Sequence, residues 1–295
     1  MLGIFPRMWY AVSMKKIKGL CLAAAGYLLW QKWELEKFNI TTYRSKSPKI
    51  KGHLKIAVVA DLHAHEYGNK NDSLFQRIKA EKPDLILVPG DMIISKYTET
   101  FPVAYHAFEE LVKIAPVYFS YGNHESRVSK VTVRQTGAYL EYEEKVRRLG
   151  VHFLRNETEL IEVKGEKIAL SGLEIPLKCY TKGERVLLPE GFMQEALGEP
   201  EEKYLQILMA HNPMYAKEYA RWGADITVCG HTHGGLVRFP KIGSILSPQL
   251  LLFPKYDGGS YEVFGKKIYV SKGLGTHTFH IRILNRAEVL LLEMN

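Results

Sequence analysis

The chain has 295 residues, 46% of them hydrophobic, which is enough for one large domain or two small ones with a substantial core. Its net charge of +8 is unevenly placed: residues 1–55 carry 11 Lys/Arg against 2 Asp/Glu, and the rest carry 29 against 30. A nearly neutral body excludes a broad nucleic-acid footprint, and Cys21, Cys179 and Cys229 are too scattered to form a CxxC pair or a disulfide framework.

Residues 1–40 read as a membrane-associated segment. A basic lead (Lys15, Lys16, Lys18) precedes an apolar stretch from Gly19 to Trp30, with Trp33 just beyond. Twelve apolar residues are short for a span, which needs about 17–25. They fit an interfacial anchor or a signal-like stretch beside anionic headgroups. Cations on both sides give no orientation, and an amphipathic helix packed on the following domain is the alternative. Residues 41–53, "TTYRSKSPKIKGH", are polar, basic and Pro/Gly-containing, and read as a linker to a domain over 54–295.

Within that domain, short apolar runs rich in Val, Ile and Tyr read as buried strands, each ending in a polar cluster. In chain order these are "LKIAVVA" (54–60) before "DLHAH", "PDLILVP" (83–89) before "GD", and "APVYFSY" (115–121) before "GNHE". "YLQILMA" (204–210) then precedes "HNP", and "ADITVC" (224–229) precedes "GHTHGG". Residues 71–82 and 138–150 have helical apolar spacing, the second ending at Gly150. Residues 151–173 read as strands joined at the turn "KGEK", and Cys229 as a small buried thiol.

Sites in α/β sheets form where loops leave the carboxyl ends of strands. The five clusters would therefore pool Asp61, His63, Asp91, Asn123, His124, His211, His231 and His233. Singly, Asp61 reads as a turn aspartate and His211 as a core histidine. Together they make a donor set of imidazoles and carboxylates without thiolate, which suits Mn, Fe or Zn. Seven ligands exceed what one tetrahedral ion takes, whereas two ions about 3.5–4 Å apart would use them and could clamp an in-line phosphoryl displacement. His65 reads as a loop histidine or as a support for the ligands, and Glu125 as an orienting group for His124 or an exposed acid.

The ordered set "DLH" (61–63), "GD" (90–91), "GNHE" (122–125), "AHNP" (210–213) and "GHTH" (230–233) resembles the calcineurin-like metallophosphoesterases over residues 54–293. The resemblance implies an α/β four-layer fold in which two mixed β-sheets pack as a sandwich flanked by helices. It implies that Asp61, His63 and His233 hold one divalent ion and that Asn123, His211 and His231 hold a second, with Asp91 bridging and taking part in catalysis. Mn is the first expectation for both ions. His124 resembles the histidine that contacts the scissile phosphate and protonates the leaving group.

Residues 246–286 further resemble the branch of this family that carries an N-terminal membrane segment. That branch includes phosphodiesterases and UDP-diacylglucosamine pyrophosphohydrolases. Its "GLGTS…PxR" and "NRPE" stand here as "GLGTHTFHIR" and "NRAE". Arg282 and His277 are candidate phosphate contacts, with a structural salt bridge the alternative for Arg282. The expected activity is hydrolysis of a phosphodiester or pyrophosphate bond in a phosphorylated small molecule or lipid headgroup, with no nucleic-acid partner. A broad phosphoesterase acting on soluble substrates and a non-catalytic metal-binding scaffold are the alternatives.

Overall fold

The computed structural model describes residues 5–130, 133–235, 238–239, 242–276 and 281–295. The chain opens with helix α1 (Phe5–Leu35) and strand β1 (Phe38–Ser45). A first βα series follows: β2 (Leu54–Val58), α2 (Asp72–Glu81), β3 (Leu85–Val88), α3 (Phe101–Leu111) and β4 (Val117–Phe119). Helices α4 (Asn123–Lys130) and α5 (Val133–Arg148) lead to β5 (His152–Phe153). The hairpin of β6 (Glu157–Val163) and β7 (Glu166–Leu173) comes next, then α6 (Phe192–Leu197), β8 (Leu205–Ala210), α7 (Ala216–Trp222) and β9 (Ile226–Cys229). A small ribbon of β10 (Arg238–Phe239) and β11 (Gly243–Ser244) precedes β12 (Gly259–Val263), β13 (Lys266–Val270) and β14 (Ala287–Met294).

The strands form two mixed six-stranded sheets, ordered β1-β14-β2-β3-β4-β5 and β12-β13-β9-β8-β7-β6. Neighbours β2 to β5 run parallel, as do β7, β8, β9 and β13, which aligns their carboxyl ends. Strands buried on both faces are predominantly apolar, as "LILV" in β3 is throughout and "LQILMA" in β8 is apart from Gln206. Leu54, Ile56, Leu87 and Leu290 of the first sheet meet Leu170, Ile207, Met209 and Val228 of the second in the central core. The outer face of the first sheet packs on α2, α3 and α5, and that of the second on α6 and α7. The expected four layers are all present. Cys229 is a free, buried thiol in β9, and burial raises its pKa well above the ordinary range.

The N-terminal expectations need correction. No helix among the described residues is long and apolar enough to cross a membrane. Arg7, Lys15, Lys16, Lys18 and Lys32 interrupt α1 with charge. Its last turns are engaged with the domain, with Gln31 and Glu34 buried there. The lack of such a helix stands against the membrane-associated placement, and the docked last turns match the packed-helix alternative at the helix's C-terminal end. Residues 41–45, read as the start of a linker, belong to β1, which pairs in parallel with β14 from Phe38↔Ala287 to Ser45↔Met294. One side of this edge strand stays accessible, so its sequence is polar at alternate positions.

Asp225, at the start of β9, ties three segments together. Its carboxylate accepts from Lys49 Nζ (2.7 Å), Lys266 Nζ (2.7 Å) and the Gln206 backbone N–H (3.0 Å). Burial alone would raise its pKa, but these donors hold the carboxyl below its ordinary value. A depressed carboxyl stabilises the fold above its unfolded-state pKa, and that stability is lost as pH falls through the folded value. Asp225→Ala should therefore lower unfolding free energy by about 1–2 kcal/mol at neutral pH, measured by denaturant titration, and the difference from wild type should shrink below about pH 4.

Candidate metal centre

All seven expected ligands and His124 converge at the carboxyl edge where the two sheets meet, and every one of them is buried. Asp61 and His63 follow β2, Asp91 follows β3, Asn123 and His124 open α4, His211 follows β8, and His231 and His233 follow β9. Their donor atoms fall into overlapping groups: Asp61 with His63 and His233, and Asp91 with His211 and His231. Asp91 also groups with His63 and His124, which puts it between the two sets.

The local backbone explains how short turns deliver so many side chains inward. Asp61 (φ 53°), His63 (46°), Asp91 (58°), His231 (69°) and His233 (51°) all adopt the left-handed region. That region is sparsely populated by non-glycine residues and is kept only where the surroundings over-determine it. The turns also pack against one another. A Cβ on Gly122 would strike the Asp91 carboxylate, and one on Gly230 would strike that of Asp61. Only glycine lets these backbones come so close.

Hydrogen bonds fix which imidazole nitrogen faces the centre. His63, His211 and His233 turn Nδ1 to the carbonyls of Ile93 (3.2 Å), Pro89 (2.8 Å) and Gly275 (3.2 Å). A neutral ring donating from Nδ1 presents a bare Nε2. His63 Nε2 and His233 Nε2 then face each other at 3.1 Å, and His211 Nε2 faces Asp91 Oδ2 at 3.1 Å. Two acceptors at that distance need a positive centre to share, and divalent cations fit the donor set.

His231 is turned the other way. Its Nε2 bonds Gln249 Oε1 (3.1 Å), leaving Nδ1 toward the centre. The Asn123 amide spans His231 Nδ1 and Arg127 Nη1, each at 2.9 Å. Hydrogen bonding alone points its nitrogen at His231, whereas a cation there requires the oxygen, an end-for-end rotation of the amide.

The electrostatics agree. Burial pushes Asp61 up to about 7, with His211 opposing it. Burial would also raise Asp91, but the imidazoles of His211, His124 and His63 hold it well below the usual carboxylate range. Burial lowers His211, yet Asp91 and Asp61 raise it to about 9. A proton thus takes the place of positive charge here, and binding a cation must displace it.

Glu125 has a role that neither sequence expectation named. It is fully buried, and its carboxylate accepts from the backbone N–H groups of Asp91 (2.9 Å), Met92 (2.9 Å) and Gly122 (3.0 Å), clamping the Asp91 turn. His65 is a support, its Nε2 bonding Leu35 O (3.0 Å) and its ring packing on Tyr67. His124 accepts at Nδ1 from the Ser95 backbone N–H (2.9 Å), which leaves the proton on Nε2. Ser95 and Gln249 carried no sequence signal, since neither belongs to a spaced cluster.

Arg282 does not face the open site. It is 2% exposed and its guanidinium donates to the carbonyls of Lys272, Gly273, Gly275 and Asn285, so it is a structural clamp rather than a phosphate contact. His277 lies outside the described residues.

Two cavities open at the centre. One, of about 460 Å³, is lined by His63, Asn123, His124 and His231, with Lys96, Arg127 and Lys182 among its other walls. The second, of about 270 Å³, shares His231 and Gln249 with the first and runs along Met214, Leu251 and Leu252.

Ligand assignment by facing nitrogen makes a direct prediction. His231→Ala and His233→Ala should each lose about one of two bound metal ions, counted by elemental analysis after Mn²⁺ loading. Glu125→Gln, which turns an amide NH2 toward backbone N–H groups in place of one acceptor oxygen, should weaken metal binding about 10–100-fold. Because uptake displaces a proton from His211, affinity should rise with pH up to about 9, with proton release visible as buffer-dependent heat in titration calorimetry.

Residues 54–235 match the model of the calcineurin-like phosphoesterase family. The chain is 28% identical over 251 residues to phosphodiesterase YaeI of Escherichia coli (strain K12), covering 81% of this chain and 82% of that protein. It is 25% identical over 287 residues to the metallophosphoesterase YkuE of Bacillus subtilis (strain 168), covering 94% and 92%. Among solved structures, the phosphopantetheinyl hydrolase PptH of Mycobacterium tuberculosis aligns with a TM-score of 0.45 at 14% identity, covering 73% of this chain and 88% of that one. The family match spans more than half of the chain, which belongs to the calcineurin-like phosphoesterases and is a metal-dependent phosphoester hydrolase.

Proposed function

We propose that this chain hydrolyses a phosphodiester or pyrophosphate bond. The observation that carries the proposal is the meeting of two cavities at His231 and Gln249. A phosphate held there has room for a substituent on each side, which a diester needs and a monoester does not. The likeness to a protein named as a phosphodiesterase supports the same reading.

Asp61, His63 and His233 would hold one divalent cation and Asn123, His211 and His231 the other, with Asp91 shared and Mn the first ion to supply. Such a pair acidifies water and neutralises phosphate oxygens. The chain's own residues do the rest. The carbonyls of Ile93, Pro89 and Gly275 keep three imidazoles aimed at the centre, and Glu125 holds the Asp91 turn in register. His124 keeps its Nε2 proton because Ser95 occupies Nδ1, so it can donate to the departing oxygen. Lys96, Arg127 and Lys182 share the larger cavity with His124, and no carboxylate lines it among the described residues. The leaving arm therefore meets a cationic wall, which suits a nucleotide- or lipid-linked phosphate. The other arm meets the apolar wall of Met214, Leu251 and Leu252.

Purified protein loaded with Mn²⁺ should cleave bis(p-nitrophenyl) phosphate with higher kcat/KM than p-nitrophenyl phosphate. His124→Ala should lower kcat about 100-fold or more while metal content is unchanged. Preference for the monoester would favour a broad phosphatase acting on soluble substrates. Equal turnover of acylated and soluble diester analogues would remove lipid-linked substrates from the reading.

A further inference from the structure

We infer that Gln31, on the N-terminal helix, is a positioning residue for one of the two metal sites, so that α1 forms part of the catalytic unit. The side-chain amide of Gln31 pairs with the peptide of Arg282 in both directions. Gln31 Nε2 donates to Arg282 O (3.0 Å), and the Arg282 N–H donates to Gln31 Oε1 (3.0 Å). Both residues are at least 95% buried, so neither hydrogen bond has water as a ready substitute.

Arg282 passes this restraint to the centre. Its Nη2 donates to the carbonyls of Lys272 (2.9 Å), Gly273 (3.0 Å) and Gly275 (2.6 Å). Gly275 O is the acceptor that orients His233 Nδ1, and Gly275 N–H donates to Asp61 O (2.6 Å). Asn285, whose own carbonyl accepts from Arg282 Nη1, donates from Nδ2 to His233 O (2.6 Å).

Two further contacts run in parallel. Glu34 takes a two-point ion pair from Arg286 (3.0 and 2.8 Å), and Leu35 O meets His65 Nε2 (3.0 Å), two residues beyond His63. The last turn and a half of α1 therefore bears on both loops that supply Asp61, His63 and His233. The hydrogen bonds that orient His211 and His231 run instead to Pro89 and Gln249. The restraint is specific to one site of the pair.

This inference rests on the metal-centre reading, and metal binding tests both separately. Wild-type protein and Gln31→Ala are titrated with Mn²⁺ by calorimetry, with bound ions counted after gel filtration and folding checked by circular dichroism. The expected result is two ions on wild type and, on the variant, one ion held as before and one weakened about 10-fold or more, with kcat largely restored by excess Mn²⁺. Gln31→Met, which keeps the side-chain volume and loses the amide pairing, should behave like Gln31→Ala and is read in its place if that variant does not fold. Glu34→Gln gives a milder loss at the same site. Unchanged stoichiometry and affinity in a folded Gln31 variant would overturn the inference. No metal bound by wild type would overturn the metal-centre reading beneath it, and this inference with it.

Discussion

Two carboxylates buried side by side set the terms for the rest of this structure. Asp61 and Asp91 are 0% and 1% exposed, at the edge where two sheets press together. An uncompensated buried charge costs several kcal/mol, and two of the same sign cost more. The surrounding residues answer that cost in layers. Backbone N–H groups of His231 and His124 donate to the carboxylates, imidazoles surround them, and the geometry leaves acceptor facing acceptor where a cation belongs. The arrangement makes sense as a binding site and would be a poor core without its ions. The fold keeps it because three apolar layers on either side of the two sheets hold the strands in place.

The same constraint accounts for the turn conformations. A side chain leaving the carboxyl end of a parallel strand normally continues the pleat. Turning it back over the strand ends takes the left-handed region, which five ligands adopt at a cost of order 1 kcal/mol or more each. Glu125 and Arg282 offset that cost by gathering the carbonyls and N–H groups that such turns leave unpaired. Their charges are used inward, on the backbone, which is why neither is available to substrate. Buried charged residues near a centre of this kind are thus explained first by the turns they hold.

Much of this was legible in the sequence, and the failures are informative. The strands beginning at Leu54, Leu85, Val117, Leu205 and Ile226 are apolar runs closed by polar clusters, and that alternation is a local signal. The candidate ligands stood out because each sits just after such a run. Residues 41–45 misled because an edge strand with one accessible side has the composition of a linker, and the pairing of Phe38–Ser45 with Ala287–Met294 is set by residues some 250 positions away. The N-terminal stretch misled for a related reason. Its leucines and tryptophans suggest an apolar surface, while residues that dock it, Gln31 and Glu34, are polar and meet partners at Arg282 and Arg286. Arg282 looked like a phosphate ligand because guanidinium serves carbonyl oxygens and phosphate oxygens equally well. Only the fold shows which oxygens it meets.

The direction of each imidazole finally separates holding from proton transfer. His63, His211 and His233 have Nδ1 taken by a carbonyl acceptor, so in the neutral ring their inward nitrogen carries no proton. His231 has Nε2 taken by an acceptor and offers Nδ1 instead. His124 is the exception, because its outer nitrogen meets a donor, the Ser95 N–H. The inward nitrogen of that ring must then carry a proton and cannot act as a ligand in the same state. Five histidines of identical chemistry are thus sorted by whether the outer nitrogen meets an acceptor (a backbone carbonyl, or Gln249 Oε1 for His231) or a backbone N–H. That distinction cannot be read from residue type or spacing, because it depends on groups brought alongside by the turns after β3 and β13 and by the segment that carries Gln249. A single reversed hydrogen bond, from the Ser95 N–H, is what leaves the proton of a neutral His124 on its inward nitrogen.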